Sequence, residues 1–167
     1  MPFNTLFQVY AMVRERSPLL DAAADLLFMP DLFNYLLTGK KAAEFTIATT
    51  SQMLDPRARA WIPGLFQAMG LSKKILQPIV EPGSVLGPLF EDVAAATGLY
   101  GVPVVATAGH DTAAAVAAVP AEGSGWAYIS SGTWSLVGVE AKSPVIAAAS
   151  LAANFTNEGG VGGTIRF

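Results

Sequence analysis

The stretch from Val102 to Val119 constrains the fold more than any other part of the chain. A run rich in β-branched residues, Val102 to Thr107, lies between Gly101 and Ala108-Gly109. It leads directly into an alanine-rich segment, Asp111 to Val119, which Pro120 stops. The first part reads as a buried strand and the second as a helix, so the chain is of the α/β class. In such folds ligands bind at the carboxyl ends of strands, where the next helix presents free N–H groups and positive potential. Asp111 stands at that junction. A carboxylate there is ionised and aimed outward, suited to take a proton from a hydroxyl. An aspartate at a helix start also serves as a plain cap, and the pattern alone does not separate the two uses. His110 beside it is the only histidine. Nothing marks a nucleophile elbow for a Ser-His-Asp triad, so its use is hydrogen bonding to a polyhydroxylated ligand or an ordinary polar turn.

Composition narrows the function classes. The 167 residues suffice for one domain with a core. Hydrophobic residues make up 52% and charged residues 14%, against about 25% charged in an ordinary soluble domain. The shortage implies a surface covered by a partner subunit or by further chain, and further chain is favoured. The net charge of −3 and the lack of any Lys/Arg run argue against nucleic acid or anionic lipid as partner. With no cysteine, disulfides, thiolate catalysis and cysteine-ligated zinc are excluded, and a cytoplasmic location fits. One histidine cannot build a histidine metal cluster, so no protein-held metal is expected. The most apolar region, Gly101 to Pro120, has a polar centre at Gly109 to Thr112 and is a poor membrane span. The N-terminal stretch is broken by Arg14, Glu15 and Arg16 and does not read as a signal peptide.

Along the chain, Phe3 to Arg16 reads as a helix, with Phe3, Leu6, Phe7, Tyr10 and Val13 at spacings of three and four. Ser17-Pro18 is a stop and restart, followed by a short helix from Leu19 to Phe28. Another helix runs from Pro30 through Leu37 and ends at Gly39. The threonine-rich segment Glu44 to Leu54 reads as extended or irregular. Asp55-Pro56 is a turn, and Arg57 to Met69 is partly helical, broken at Pro63-Gly64. Glu81-Pro82-Gly83 is a turn, and Glu91 to Thr97 is a helix stopped by Gly98. Ala121 to Gly125 is a connector between a mostly helical part and a β-rich part. Trp126 to Ser130 and Trp134 to Glu140 read as strands around Ser131-Gly132-Thr133. Ser143 to Asn154 is ambiguous, and Thr164 to Phe167 reads as a strand.

Three further groups could bear chemistry. Ser130-Ser131-Gly132-Thr133 places small hydroxyl residues around a glycine, which suits an anion, although an ordinary hairpin turn reads the same way. It is not a Walker A loop. Asn154, Asn157 and Glu158 form a polar cluster, read as a plain turn unless a cleft gathers them. Phe28, Phe33, Tyr35, Trp61 and Phe66 read as core rather than ligand stackers.

Taken in order, several segments resemble the FGGY family of carbohydrate kinases. They are residues 2–8, Leu27 to Phe33, Leu36 to Lys40, Ala48 to Thr50, Ala108-Gly-His-Asp-Thr-Ala113, Tyr128-Ile-Ser-Ser-Gly-Thr-Trp-Ser-Leu136 and Ala153-Asn-Phe-Thr-Asn-Glu-Gly-Gly160. The resemblance implies part of an actin-like ATPase (ribonuclease H-like) fold: the later part of the first domain over residues 1–120, a connector over 121–125 and the first strands of the second domain over 126–167. It implies ATP-dependent phosphorylation of a ketose, L-rhamnulose first, with xylulose, fuculose or glycerol types as alternatives, and a non-catalytic sugar-binding remnant as another. It further implies that Asp111 is the catalytic base, that His110, Asp111 and Thr112 contact the sugar, that Gly132 and Thr133 lie near the ATP phosphates, and that Mg²⁺ accompanies ATP. The family's Asp-x-Gly phosphate loop and late glycine-rich adenosine motif are not in these residues, so the isolated chain is expected to be inactive and prone to associate.

Overall fold

The computed structural model describes residues 3–123 and 125–167. Pro2 of the first resembling segment and Ser124 of the connector lie outside the described residues. The chain opens with helices α1 (Thr5–Arg14), α2 (Pro18–Ala22) and α3 (Met29–Thr38). Proline sits in the first turn of α2 and of α3, where its missing N–H costs nothing. The second helix stops at Ala22, short of the expected Phe28. A tertiary bond ends it: the Leu26 N–H donates to the Ile75 carbonyl at 2.7 Å, drawing that strip out against a 3₁₀ turn at Lys73–Ile75. Gly39 closes α3 in the left-handed conformation (φ 72°), as expected of a glycine in that position.

Strand β1 (Ala43–Glu44) leads into α4 (Phe45–Thr50), so the expectation of extended or irregular chain over Glu44 to Leu54 is corrected. The reason is the Glu44 carboxylate, which accepts from the N–H groups of Thr46 and Ile47 and caps the helix. The threonines that made the segment look extended bond back to carbonyls three residues earlier, Thr49 to Thr46 and Thr50 to Ile47. Strands β2 (Leu54–Asp55) and β3 (Ala60–Trp61) form a small antiparallel hairpin, its turn held by Asp55 Oδ1 accepting from the Arg57 N–H at 2.8 Å. Helix α5 (Pro63–Ala68) begins at Pro63; the proline starts a helix rather than breaking one. Strand β4 (Ile79–Val80) pairs in parallel with β1.

Strand β5 (Val85–Pro88) pairs antiparallel with β6 (Pro103–Val105), and α6 (Glu91–Thr97) lies between them in sequence. The β6 run was expected to be buried, yet Val105 is 41% exposed. Among the described residues β6 has β5 as its only strand neighbour, so its other edge and one face stay open. Helix α7 (Asp111–Ala117) follows, then β7 (Ala127–Ser131), β8 (Ser135–Ala141), α8 (Ala148–Ala152), β9 (Glu158–Gly159) and β10 (Ile165–Arg166). The last four strands form one sheet in the order β7-β8-β10-β9. Ile129 and Val137 on β7 and β8 are 72% and 61% exposed, an apolar face that fits the low charge content.

The core gathers Phe28, Phe45, Met53, Leu54 and Phe66 with Ile165 from β10, so the two ends of the chain share one hydrophobic centre. Phe45 is fully buried under the Arg59 guanidinium, 3.6 Å from its ring centre. Phe28 and Phe66 are core as expected; Trp61 and Tyr35 are half-buried, and Phe33 is 60% exposed on the outer face of α3. Phe45→Ala is expected to cost about 3–5 kcal/mol of stability and Phe33→Ala less than about 0.5. Urea unfolding of the two variants checks this, and equal losses would refute the core assignment.

Candidate functional site

The turn from β6 to α7 is held from beneath by one carboxylate. Glu44 is 1% exposed and gathers four donors: the Thr46 N–H at 2.9 Å, the Thr46 hydroxyl at 2.6 Å, the Ile47 N–H at 3.2 Å and the Gly109 N–H at 2.8 Å. The Thr46 hydroxyl oxygen in turn accepts from the His110 N–H at 3.1 Å. The fit is close: a Cβ on Gly109 would meet Glu44 Oε2 at 3.1 Å and both Ile47 and Pro30 at 3.3 Å. Space, not φ, disfavours a side chain there. His110 takes the cap position of α7 and Asp111 its first turn.

Asp111 Oδ1 accepts from the Thr112 N–H at 2.7 Å, and its side chain is otherwise 96% exposed. Thr112 is buried behind it. Across from them stands the β7–β8 turn. His110, Asp111, Thr112, Ser130, Ser131, Gly132, Thr133, Trp134 and Glu158 line a single cleft of about 550 Å³. All five residues singled out for sugar or phosphate contact therefore face one space. The Gly132 N–H is committed to the Trp134 carbonyl at 2.8 Å and closes the turn, so Thr133 is the residue of that pair left to offer a donor. Phe3 packs edge-on against Trp134, with ring centres 5.7 Å apart, and ties the start of the chain to this wall.

A third element reaches the cleft from behind. Arg166 on β10 is 2% exposed. Its Nε donates to the Gly159 carbonyl at 3.0 Å, and its Nη2 lies 3.0 Å from Glu158 Oε2 and 2.8 Å from His110 Nδ1. Burial alone would push the Glu158 carboxyl up, but the Arg166 guanidinium beside it opposes this, and the carboxyl is held below the usual carboxylate range. Of the polar cluster seen in the sequence, Glu158 enters the cleft. Asn157 is structural, exchanging hydrogen bonds with the Val145 backbone, and Asn154 lines neighbouring hollows. Glu44, Thr46 and Arg166 were not singled out from the sequence. Their bonds to the β6–α7 turn span 56 to 65 residues along the chain, and no local pattern signals such bonds.

The sequence profile of the N-terminal domain of the FGGY family of carbohydrate kinases matches residues 1–118. This chain belongs to the FGGY family. Rhamnulokinase from Bacteroides thetaiotaomicron is 51% identical over 99% of the chain and 34% of that protein, and rhamnulokinase from Enterococcus faecalis is 41% identical over 99% and 33%. The chain thus spans about a third of the length of the curated relatives it matches. Among solved structures, the xylulose kinase from Lactobacillus acidophilus superposes with a TM-score of 0.84 at 17% identity, over 99% of this chain and 33% of that one. A carbohydrate kinase from Novosphingobium aromaticivorans gives 0.78 at 26% identity, over 98% and 36%. The FGGY fold here is part of the actin-like ATPase architecture, as the resemblance implied. No helix among the described residues is long and apolar enough to cross a membrane.

In this FGGY chain the Glu44 clamp leans on a second buried carboxylate. Asp31, 2% exposed in the first turn of α3, accepts from the Glu44 N–H at 3.1 Å through Oδ1, while Oδ2 is buried with no partner among the described residues. Burial pushes its pKa up to about 6, against the pull of the Glu44 N–H and with help from the Glu44 carboxylate. A carboxyl whose folded pKa is raised binds its proton more tightly in the native state, so its effect is to lower stability as pH rises from about 4 to about 6. Linkage bounds the loss at about 3 kcal/mol, and a loss of about 2 lies within that bound. Asp31→Asn is therefore expected to gain on the parent by about 2 kcal/mol between pH 4 and pH 7, with no further gain above. Denaturant unfolding of both proteins across that range checks it, and parallel pH profiles would refute it.

Proposed function

We propose that this chain is the sugar-positioning segment of an ATP-dependent sugar kinase, with L-rhamnulose as the acceptor and Asp111 as the general base. The observation that carries the reading is the single cleft in which an exposed carboxylate, a histidine and a threonine at a helix start face a Ser-Gly-Thr turn. The rhamnulokinase relatives, at 41% to 51% identity, favour L-rhamnulose among ketoses. In this reading residues 1–120 belong to the sugar-binding domain, 121–125 join the domains, and 126–167 begin the ATP-binding domain of a cytoplasmic enzyme.

A sugar hydroxyl is a poor nucleophile at neutral pH, and phosphoryl transfer depends on placement and charge more than on covalent help. Asp111 takes the hydroxyl proton as the oxygen bonds to the γ-phosphorus, and ADP leaves. His110 and Thr112 hold neighbouring hydroxyls. Thr133, at the turn that Gly132 shapes, offers its donors to phosphate oxygens. Mg²⁺ ordinarily keeps several waters beside the phosphates and needs only one or two carboxylates; with Asp111 taking the proton, Glu158 is the cleft carboxylate that would face the ion, and no cluster of three or more acidic, His or Cys side chains occurs among the described residues. Bound with the nucleotide, it supplies positive charge against the phosphate oxygens.

The test uses an enzyme of the relatives' full length that carries this segment. Asp111→Asn is expected to lower turnover of L-rhamnulose and ATP by about 10²–10⁴-fold while sugar affinity, measured by calorimetry, stays within about threefold. Turnover close to the parent would remove Asp111 from the role, and preference for D-xylulose or L-fuculose would reassign the sugar.

A further inference from the structure

We infer that Arg166 is a positioning residue that fixes His110 in its Nε2–H tautomer, so that the imidazole offers the cleft a hydrogen-bond donor. The argument begins with what each group can do. A guanidinium only donates and keeps its charge in proteins. Arg166 Nη2 lies 2.8 Å from His110 Nδ1. A proton on Nδ1 would set two donors head to head at that distance. The arginine cannot yield its proton and the neutral ring can, by carrying it on the other nitrogen. Nδ1 is then the acceptor and Nε2 the donor.

Glu158 competes for the same nitrogen. Its Oε2 stands 3.3 Å from Nδ1 and, as an ionised carboxylate, would ask for an Nδ1–H. The arginine is nearer and cannot turn aside. Its Nε is bound to the Gly159 carbonyl, its Nη2 also meets Glu158, and its backbone is paired with Glu140 on β8 and Glu158 on β9. The Gly159 carbonyl and the strand pairing thus hold the guanidinium in place, the guanidinium sets the ring, and Glu158 is the acceptor that loses the competition.

The consequence appears at the other nitrogen. His110 Nε2 lies 3.5 Å from Asp111 Oδ1, at the cleft. An Nε2–H favours an oxygen acceptor and rejects an N–H or ammonium group. A ligand seated there presents a hydroxyl or other oxygen to His110; that this oxygen belongs to the sugar rests on the kinase reading above. The tautomer itself does not.

His110 is the only histidine of the chain, so its imidazole gives one set of signals in a long-range ¹H–¹⁵N spectrum of the labelled protein, with neither sugar nor turnover needed. At pH 8 the expected pattern is a protonated Nε2 and a bare Nδ1. In Arg166→Met, which removes the donor and keeps the bulk, Nδ1–H becomes the major form, donated to Glu158. In Glu158→Gln the Nε2–H form stays dominant. An Nδ1–H pattern in the parent would overturn the inference, as would a folded Arg166→Met that keeps Nε2–H. Where Arg166→Met does not fold, the parent and Glu158→Gln decide: loss of Nε2–H in Glu158→Gln overturns the inference and its retention supports it. An inactive kinase with the expected spectrum would sink the functional reading alone.

Discussion

The buried Glu44 carboxylate is the constraint on which the rest of the structure depends. A carboxylate removed from water costs several kcal/mol unless its oxygens are bonded. Here four donors converge on it, and bonds to a charged acceptor contribute about 1.5–3 kcal/mol each. Three of the four come from the first turn of α4, two of them backbone N–H groups, so the charge also faces the positive end of that helix. The Gly109 N–H is the one donor that arrives from far along the chain. That single bond converts a helix cap into a joint between the α4 region and the turn that carries Asp111.

A second joint works from the opposite side. The Gly159 N–H donates to the Thr49 hydroxyl at 2.7 Å, and Phe45 leaves no room for a side chain at Gly159. Strand β9 therefore lies against α4, and it brings Glu158 and Arg166 to His110. The same short helix thus anchors the turn before α7 through Glu44 and Thr46, and the β9–β10 pair through Thr49. Its length of six residues would be too short to persist alone. The capping carboxylate and the fully buried Phe45 hold it in place.

What the sequence made legible was local. Helices α3 and α6 end at glycines in the left-handed conformation, and α7 and the β7–β8 hairpin lie where turn residues and periodicity set them. The residues 110–112 and 132–133 were legible as candidates because each group sits at such a boundary. What the sequence concealed was tertiary. The helix α4 looks extended because threonine and isoleucine favour strands, and only the fold of Glu44 onto the next two N–H groups reverses that preference. Phe33 carries the same chemistry as Phe28, but it falls on the outer face of α3 and is exposed, whereas Phe28, in the extended residue before that helix, enters the core. Arg166 occupies a short strand like any other until β9 and α7 surround it.

These joints also explain why the exposed Asp111 side chain is compatible with a precise site. The turn is fixed by backbone donors, Gly109 to Glu44 and His110 to Thr46, by the His110 ring against Arg166, and by the helix beyond. The Asp111 carboxylate itself keeps one short contact, to the Thr112 N–H, and is otherwise in solvent. A base buried in a lattice of protein bonds would have its lone pairs already occupied and would have to break them to accept a proton. Here the fold spends its hydrogen bonds on the Cα positions and leaves the carboxylate oxygens for a ligand. For the proposed general base, placement would come from the backbone and reactivity from the open side chain, the division that such chemistry on a weak hydroxyl nucleophile requires.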